Sequence, residues 1–181
     1  EYVRAMQISG QMARYYNLPL RTSNANAANA PDAQAIWESS FSLQACQQGW
    51  SNMIYHAAGW LEGGLVVGYE KFILDSDRLG MLHRMGDGMT INENSLGLSA
   101  FKENSPGENF LGTEHTGENF ETANFRSEIA DNNSFEQWEE DGSKDAEERA
   151  YERWNAMLDE YVEPPMDPAI DEALLEFIAK R

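Results

Sequence analysis

Aromatic and polar side chains cluster directly after one short apolar segment of the chain, residues 52–57. Within eight positions the sequence holds Tyr55, His56, Trp60 and Glu62. The faces of Tyr and Trp rings attract a quaternary ammonium through cation–π interactions, worth roughly 1–2 kcal/mol per contact when water is excluded, and Glu62 would add a counter-charge. The cluster therefore indicates a site for a cationic small molecule. The alternative is that Trp60 packs beneath the loop and His56 bonds to a neighbouring carbonyl.

A second candidate ligand loop, Ser23–Ala30, follows another short apolar segment. Its side chains are small, so a ligand could approach the backbone, and Asn24, Asn26 and Asn29 can donate and accept hydrogen bonds. In folds with parallel strands, ligands bind at the carboxyl ends of the strands, on the loops that lead into helices. The pattern favours a ligand loop and a plain surface turn equally.

Other kinds of site chemistry find little support in the sequence. His56, His83, His115 and Cys46 are scattered without the close spacing of metal ligands, so no metal site is predicted. The sequence lacks a Gly-x-x-x-x-Gly-Lys phosphate loop and a Gly-x-Ser-x-Gly nucleophile motif. Cys46 lies among apolar helix residues and is predicted to pack in the core without reacting.

Composition sets the broad class of the protein. The chain has 181 residues, 41% of them apolar, and a formal net charge of −18, which is enough for one domain with a core. Such a charge repels nucleic acid and anionic membranes, and no apolar run has membrane-spanning length. The single cysteine excludes an internal disulfide and is typical of a reducing cytosol. We therefore expect a cytoplasmic protein that binds neither nucleic acid nor membrane.

Charge is unevenly distributed along the chain. Residues 1–90 hold 8 acidic and 6 basic side chains, whereas residues 91–181 hold 23 acidic and 7 basic ones. The acidic half is interpreted as a solvated helical exterior or, alternatively, as a surface that meets a partner protein. The chain begins at Glu1 in what resembles the middle of a helix, which predicts a piece of a longer protein.

Hydrophobic periodicity and turn residues predict alternating helices and strands. Parallel strands joined by crossover helices would give an α/β fold. The predicted elements are a helix over 1–16, a strand near 18–22, a helix from 31 to 49, a strand over 52–57, a glycine-rich loop over 59–64, a helix over 65–85, a short helix over 95–102, and helices capped by Ser134, Ser143 and Asp167.

Five segments stand in a recognisable order: Tyr16-Asn17-Leu18-Pro19; Ala30-Pro31-Asp32-Ala33-Gln34-Ala35 with Glu38; Ala58-Gly59-Trp60-Leu61-Glu62-Gly63-Gly64; Tyr69-Glu70-Lys71-Phe72; and Phe110-Leu111-Gly112-Thr113-Glu114-His115-Thr116. Together they resemble the C-terminal part of the trimethylamine methyltransferase family, which includes glycine betaine:corrinoid methyltransferases. The closing Pro164-Pro165-Met166-Asp167-Pro168-Ala169-Ile170-Asp171 is also similar to that family, so the resemblance covers nearly the whole chain.

The resemblance implies the C-terminal portion of a (β/α)8 TIM barrel followed by an acidic helical tail. Residues 1–130 would hold the last strands and helices of an incomplete methyltransferase barrel, and residues 131–181 a C-terminal helical appendage. The implied enzyme moves a methyl group from an amine nitrogen to the cobalt of a corrinoid. The corrinoid is carried by a separate partner protein, so this chain would bind the methylated amine and that protein but no metal of its own.

The same resemblance indicates the class of amine. Family members specific for trimethylamine carry pyrrolysine in the loop before the Pro-Asp-Ala-Gln segment, whereas the corresponding loop here, residues 23–30, has neither pyrrolysine nor lysine. A neutral tertiary amine needs activation before it loses a methyl group, but a quaternary amine is already charged and leaves as a neutral amine. The expected substrate is therefore a quaternary amine such as glycine betaine or a relative.

Within this interpretation the two loops receive roles. Tyr55, His56 and Trp60 would line the substrate, Asn24 and Asn26 would line it from the opposite loop, and Glu62 would orient it or balance its charge. His56 and Glu62 are the candidates for a catalytic role. His115 is a further candidate for substrate contact or for a helix cap.

Two other interpretations remain open at this point. The chain could be a non-catalytic scaffold or partner-docking fragment whose reacting residues lie in an absent N-terminal part, because a barrel site draws residues from several strands. It could also be a free-standing acidic α/β regulator. Exposed strand edges and apolar helix faces predict either association, for example into a homo-oligomer, or partial disorder.

Overall fold

A computed structural model describes residues 1–180 as a helix-dominated α/β arrangement, which confirms the predicted fold class at that level. Over these residues no helix is both long and apolar enough to cross a membrane. The helices are α1 (Tyr2–Tyr15), α2 (Ala33–Gln48), α3 (Tyr69–Gly86), α4 (Glu93–Leu96), α5 (Leu98–Glu103), α6 (Glu114–Asn119), α7 (Phe135–Glu140), α8 (Ala146–Asp159) and α9 (Pro168–Ala179), and the strands are β1 (Arg21–Ser23), β2 (Met53–Tyr55), β3 (Trp60–Leu61) and β4 (Val66–Val67).

Strands β1 and β2 pair in parallel, as the sequence predicts, with α2 as the crossover between them. The register sets Arg21 opposite Met53 and Ser23 opposite Tyr55. One further bond, from the Asn24 N–H to the Tyr55 carbonyl at 2.9 Å, extends the ladder past Ser23. The carboxyl ends of the two strands therefore lie side by side, which is where parallel folds place their ligand loops.

The predicted helices α1 and α2 are present with small shifts at their ends. Helix α1 ends in a Schellman motif, in which Asn17 adopts φ 53° and the Leu18 N–H bonds to the Ala13 carbonyl at 2.9 Å. Helix α2 begins at Ala33 rather than at Pro31, because the Asp32 carboxylate accepts hydrogen bonds from the first turn and makes Asp32 the cap.

The glycine-rich segment after β2 differs from its prediction as a loop leading into a helix over 65–85. Strands β3 and β4 form an antiparallel hairpin around a 3-10 turn over 62–64, and α3 begins only at Tyr69. Gly68 is the reason for the later start. Its N–H bonds to the Gly59 carbonyl at 3.0 Å, which keeps the chain in the hairpin and holds Gly68 extended.

Two predicted elements of the acidic half are corrected in detail. The helix predicted over 95–102 is broken at Gly97, whose φ of 61° ends α4 and separates it from α5. Ser143 does not cap a helix, since it has φ 55°, and α8 is capped instead by Asp145 in a capping box with Glu148. Ser134 and Asp167 cap α7 and α9 as predicted.

Helix α8 packs against α3 and closes the main apolar cluster. Ile73 and Leu74 of α3 are buried with Ile129 and Ala150, and Trp154 packs against this cluster from α8. The Trp154 indole N–H donates to a carboxylate oxygen of Glu70 at 2.9 Å. Ile36 of α2 packs against the same cluster, so α2, α3 and a helix from the acidic half of the chain share one apolar core.

The approach of α1 to α2 depends on a glycine. Gly10 is the buried residue of α1, and a Cβ added there would overlap the carbonyl oxygen of Gly49 at the end of α2. Gly117 in α6 is also helical, but a Cβ there would have no neighbour within 4 Å.

We expect Gly10→Ala to lower the free energy of unfolding by about 1–3 kcal/mol, because the added methyl group overpacks backbone. Gly117→Ala should leave it unchanged or raise it by up to about 1 kcal/mol, since alanine favours helix. Urea unfolding monitored by circular dichroism measures both values. Equal effects of the two substitutions would show that the α1–α2 contact does not require glycine.

Candidate active site

The two candidate ligand loops leave neighbouring strand ends and contact each other there. Ser23 ends β1 and Tyr55 ends β2, in register. The next residue after Tyr55, His56, has its Nδ1 2.8 Å from the Ser23 hydroxyl, and its backbone adopts φ 55°. The unusual backbone conformation turns His56 towards β1, and the chain thereby joins the two predicted loops.

The contact between His56 Nδ1 and the Ser23 hydroxyl links the tautomer of His56 to the direction of the Ser23 proton. That hydroxyl has one proton, and it lies 2.9 Å from the Asn24 carbonyl as well as close to His56. If the Ser23 proton goes to the Asn24 carbonyl, then Nδ1 of His56 is the donor and Nε2 remains an acceptor. The exposed imidazole can then accept a hydrogen bond from a ligand or hold a proton on its outer nitrogen.

The loop at 24–30 alternates between buried and exposed residues. Asn24, Asn26 and Ala28 are buried, whereas Ala25 and Ala27 are exposed. The buried amides are used inside the protein. Asn24 and Asn26 each donate from Nδ2 to the Ser39 hydroxyl at 3.0 Å, and Asn26 also donates to the Ala35 carbonyl at 2.7 Å. The asparagines predicted to line the substrate thus fasten the loop to α2, and small side chains form its outer side.

Glu38 holds the middle of the same loop by its backbone. One carboxylate oxygen accepts the N–H groups of Ala27 at 2.7 Å and Ala28 at 3.0 Å, and the other accepts from the Gln34 side chain at 2.9 Å. Partial burial by itself raises the pKa of the Glu38 carboxyl, but the bonds from Gln34, Ala27 and Ala28 outweigh it and hold the pKa below its usual value. The carboxylate form therefore stabilises this loop.

The hairpin turn packs against the loop from the other side. The Glu62 N–H donates to the Ala28 carbonyl at 2.9 Å, and the Gly63 N–H donates to the Asn26 carbonyl at 3.0 Å. Glu62 adopts φ 51° in this turn and its side chain is exposed. The structure thus brings Glu62 beside the loop at 24–30.

Trp60 lies beneath the turn, in the arrangement that was the alternative to ligand binding. A Cβ on Gly64 would overlap the Trp60 indole, and the centroids of the His56 and Trp60 rings are 3.5 Å apart. Tyr55 is 43% exposed and one face of its ring is covered by the Arg21 guanidinium, 4.4 Å from the centroid. The Tyr55 and Trp60 rings thus have protein neighbours at the strand ends, and His56 and Glu62 are exposed.

A buried ion pair beneath these loops was not among the predicted site residues. Lys71 and Asp75 of α3 are 0% exposed and form a salt bridge. Lys71 Nζ also donates to the Ser39 hydroxyl at 2.8 Å. Asp75 accepts the Gly59 N–H at 3.0 Å and, on its other oxygen, an Arg78 N–H at 3.3 Å. Burial lowers the pKa of the Lys71 ammonium, and the Asp75 carboxylate opposes that shift. The sequence signal was a Lys–Asp pair at i, i+4 beside buried Ile73 and Leu74.

His115 makes its contacts away from this cluster. It lies in the first turn of α6, which is capped by Thr113, and its Nε2 is 2.7 Å from the Asn94 carbonyl in α4. Over residues 1–180 there is no group of three or more His, Cys, Asp or Glu side chains that could hold a metal ion. Cys46 is free and buried, and burial together with the neighbouring thiol raises the pKa of Tyr2 to about 12.

The two glycines of the turn provide a matched pair of substitutions. Gly63 and Gly64 both have positive φ, 63° and 95°, but only at Gly64 would a Cβ meet Trp60. We expect Gly64→Ala to lower the free energy of unfolding by at least about 1 kcal/mol more than Gly63→Ala, which costs only the backbone strain of about 1 kcal/mol. Urea unfolding of both variants tests this, and equal losses would mean that Trp60 does not pack under Gly64.

The low pKa of Glu38 predicts a pH dependence of stability. Because the folded pKa lies below the usual 4.5, the ionised carboxylate stabilises the fold above about pH 4.5, and this contribution is lost as the pH falls through the folded pKa. Glu38→Gln should therefore destabilise the protein at pH 6 and differ less from the wild type at pH 3. Exposed Glu163→Gln is the control. A Glu38→Gln effect that does not change with pH would contradict the assignment.

Comparison with known proteins agrees with the pattern of segments around these loops. The trimethylamine methyltransferase (MTTB) family model matches residues 1–181. The glycine betaine methyltransferase of Desulfitobacterium hafniense (strain Y51) is 34% identical over 174 residues, which cover 96% of this chain and 36% of that protein. The trimethylamine methyltransferase MttB of Desulfitobacterium hafniense (strain DSM 10664 / DCB-2) is 28% identical over 169 residues, 93% of this chain and 34% of that protein.

A relative from another genus gives a similar alignment. The trimethylamine methyltransferase MttB1 of Methanosarcina mazei is 28% identical over 163 residues, 88% of this chain and 32% of that protein. The chain spans about a third of the length of the curated relatives that it matches. With a family model matched over its whole length, this chain belongs to the trimethylamine methyltransferase family.

Proposed function

We propose that the chain is part of an enzyme that moves a methyl group from a quaternary amine to the cobalt of a corrinoid held by a partner protein. Membership of a methyltransferase family supports the reaction class. The choice of a quaternary amine is based on the residues of the loop at 23–30. This loop holds no lysine and no other charged side chain, and its exposed side is formed by Ala25, Ala27 and Asn29.

The choice follows from leaving-group chemistry. In the transfer, the bond between the methyl carbon and nitrogen breaks, and its electron pair stays on nitrogen. A quaternary ammonium leaves as a neutral amine, so it needs no group on the protein to protonate or alkylate it first. A tertiary amine would leave as a strongly basic anion. A loop without an activating side chain therefore suits a quaternary substrate.

The residues of this chain would bind and orient the amine. The corrinoid supplies a Co(I) nucleophile that accepts the methyl carbon. His56 and Glu62 are exposed at the strand ends, where the Glu62 carboxylate can balance the ammonium charge and His56 can contact the substrate from the opposite side. Because Ala25 and Ala27 are small and exposed, a broad methyl acceptor can approach the strand ends without displacing buried residues. The protein would hold the methyl group in line with the methyl acceptor and exclude water.

A (β/α)8 barrel is the architecture that we propose for the whole enzyme, with this chain as its last strands. The parallel β1–α2–β2 unit supports this, since it is the repeating unit of such a barrel. The length of the relatives supports it as well, because the matched region is about a third of each. The free thiol of Cys46 fits a reducing, cytoplasmic compartment.

A second candidate function has a specific observation in its favour. The amides of Asn24 and Asn26 are used inside the protein, and Trp60 packs beneath the turn. On this view the chain is a scaffold or docking segment, and the reacting residues lie in another part of the enzyme. The two proposals differ in what His56 does.

Turnover by the complete gene product tests the proposal. The protein is mixed with a Co(I) corrinoid and a panel of N-methylated amines, and the loss of Co(I) absorbance is followed. We expect transfer from glycine betaine or another quaternary amine and none from trimethylamine. Transfer from trimethylamine alone would contradict the choice of substrate, and no transfer from any amine by a folded protein would contradict the reaction.

A histidine pair then separates the catalytic role from the scaffold role. His56→Ala should lower kcat/KM for the quaternary amine by about tenfold or more, because it removes a group at the strand ends. His83→Ala is the matched control, since His83 is an exposed histidine in the last turn of α3. An active enzyme whose kcat/KM is unchanged by His56→Ala would favour the scaffold.

A further inference from the structure

A continuous chain of buried polar contacts links the two loops at the strand ends. At one end, Asn24 and Asn26 donate to the Ser39 hydroxyl, each at 3.0 Å. These asparagines are 2% and 5% exposed. The position of the loop at 24–30 is therefore tied to one hydroxyl group on α2.

The Ser39 hydroxyl is also connected to the other loop, through two side chains of α3. Lys71 Nζ donates to Ser39 Oγ at 2.8 Å and pairs with Asp75. Oδ2 of Asp75 accepts the N–H of Gly59 at 3.0 Å, in the segment that joins His56 to the hairpin. Every side chain in the series, Ser39, Lys71 and Asp75, is 0% exposed.

These buried polar contacts fix the relative positions of the two loops more than they raise the free energy of unfolding. Removing two charges from water costs several kcal/mol per ion, and apolar residues of similar volume often stabilise a fold as well or better. Asn24, Asn26 and Lys71 each direct a donor nitrogen at the Ser39 hydroxyl oxygen, which has two lone pairs for the three of them. The three donors share one oxygen, so a change in the position of that oxygen alters the contacts of the loop at 24–30 and of Lys71 together.

We propose that Ser39, Lys71 and Asp75 are positioning residues that set the spacing of the two loops around the methylated amine. The identity of the ligand in this proposal rests on the proposed function. The coupling of the two loops is independent of it. None of the three side chains touches the amine, since all are buried under the loops.

Hydrogen–deuterium exchange of the complete gene product tests the coupling without any substrate. In Ser39→Ala, the peptide over 56–61 should exchange about tenfold faster, although Ser39 makes no bond to that peptide. Ser40→Ala, the next residue on the same helix, is the matched control and should exchange like the wild type. Peptides of α8 should not change in either variant. Unchanged exchange over 56–61 in Ser39→Ala would overturn the proposal.

A second variant covers the case in which Ser39→Ala does not fold. Lys71→Met with Asp75→Asn removes the ion pair and keeps an acceptor for the Gly59 N–H, and it also removes the carboxylate that pairs with Arg78. It should speed exchange over both 24–30 and 56–61 while α8 remains protected. Faster exchange in only one of the two loops would show that they are not coupled, and would overturn the proposal.

Kinetics with the quaternary amine separate positioning from a structural role. In folded Ser39→Ala, KM should rise about tenfold with a smaller change in kcat, and Ser39→Thr, which keeps the hydroxyl, should restore KM. A folded Ser39→Ala with wild-type KM would overturn the positioning role. If the wild type transfers no methyl group, the proposed function fails, and the exchange results alone decide whether the loops are coupled.

Discussion

Burial of the Lys71–Asp75 ion pair is the constraint on which the rest of the strand-end structure depends. An ammonium without access to water must find its partners inside the protein, and here these are Asp75 and the Ser39 hydroxyl. To supply them, α2 and α3 have to pack at one distance and rotation. The Asp75 carboxylate is completed by Arg78 and by the Gly59 N–H, and the bond to Gly59 fixes where the chain leaves β2 for the hairpin.

The acidic half of the chain also packs on α3. Helix α8 covers Ile73 and Leu74 with Ala150, and Trp154 bonds to Glu70. Helix α3 therefore contributes both to the buried polar chain and to an apolar cluster. The acidic residues of α8 are exposed, where solvation stabilises them, so an acidic sequence and a role in the core are compatible in one helix.

Residue types and their spacing predicted those parts of the fold that depend on neighbouring residues in the sequence. The parallel pair and its crossover helix followed from apolar segments and from Pro and Asn residues near their ends, and Ser134 and Asp167 cap the helices that their types predict. The hairpin was missed because each of its strands has only two residues, and the bond between Gly68 and Gly59 that delays α3 leaves no pattern in the residue types. Ser143 and Asp145 are both good caps by type, and only the reciprocal bond with Glu148 decides between them.

The candidate site was also predictable from the sequence only in part. The two loops could be predicted from residue types and from their place after apolar strands, and the structure joins them through Ser23 and His56. The inward direction of Asn24 and Asn26 could not be predicted, because it is set by Ser39, fifteen and thirteen positions further along the chain. Family membership supports the proposed reaction class, and the uncharged loop at 23–30 is the basis for proposing a quaternary amine.

A double-mutant cycle on Lys71 and Asp75 tests most directly whether a buried ion pair organises this part of the protein. Lys71→Met and Asp75→Leu are made singly and together, and the free energy of unfolding of each is measured in urea. Asp75→Leu should lose about 3–5 kcal/mol, because it leaves the buried Lys71 ammonium and Arg78 without their carboxylate, and Lys71→Met should lose less, because Arg78 still pairs with Asp75. The double variant should lose far less than the sum, with a coupling of at least about 2 kcal/mol. Additive losses would contradict the account.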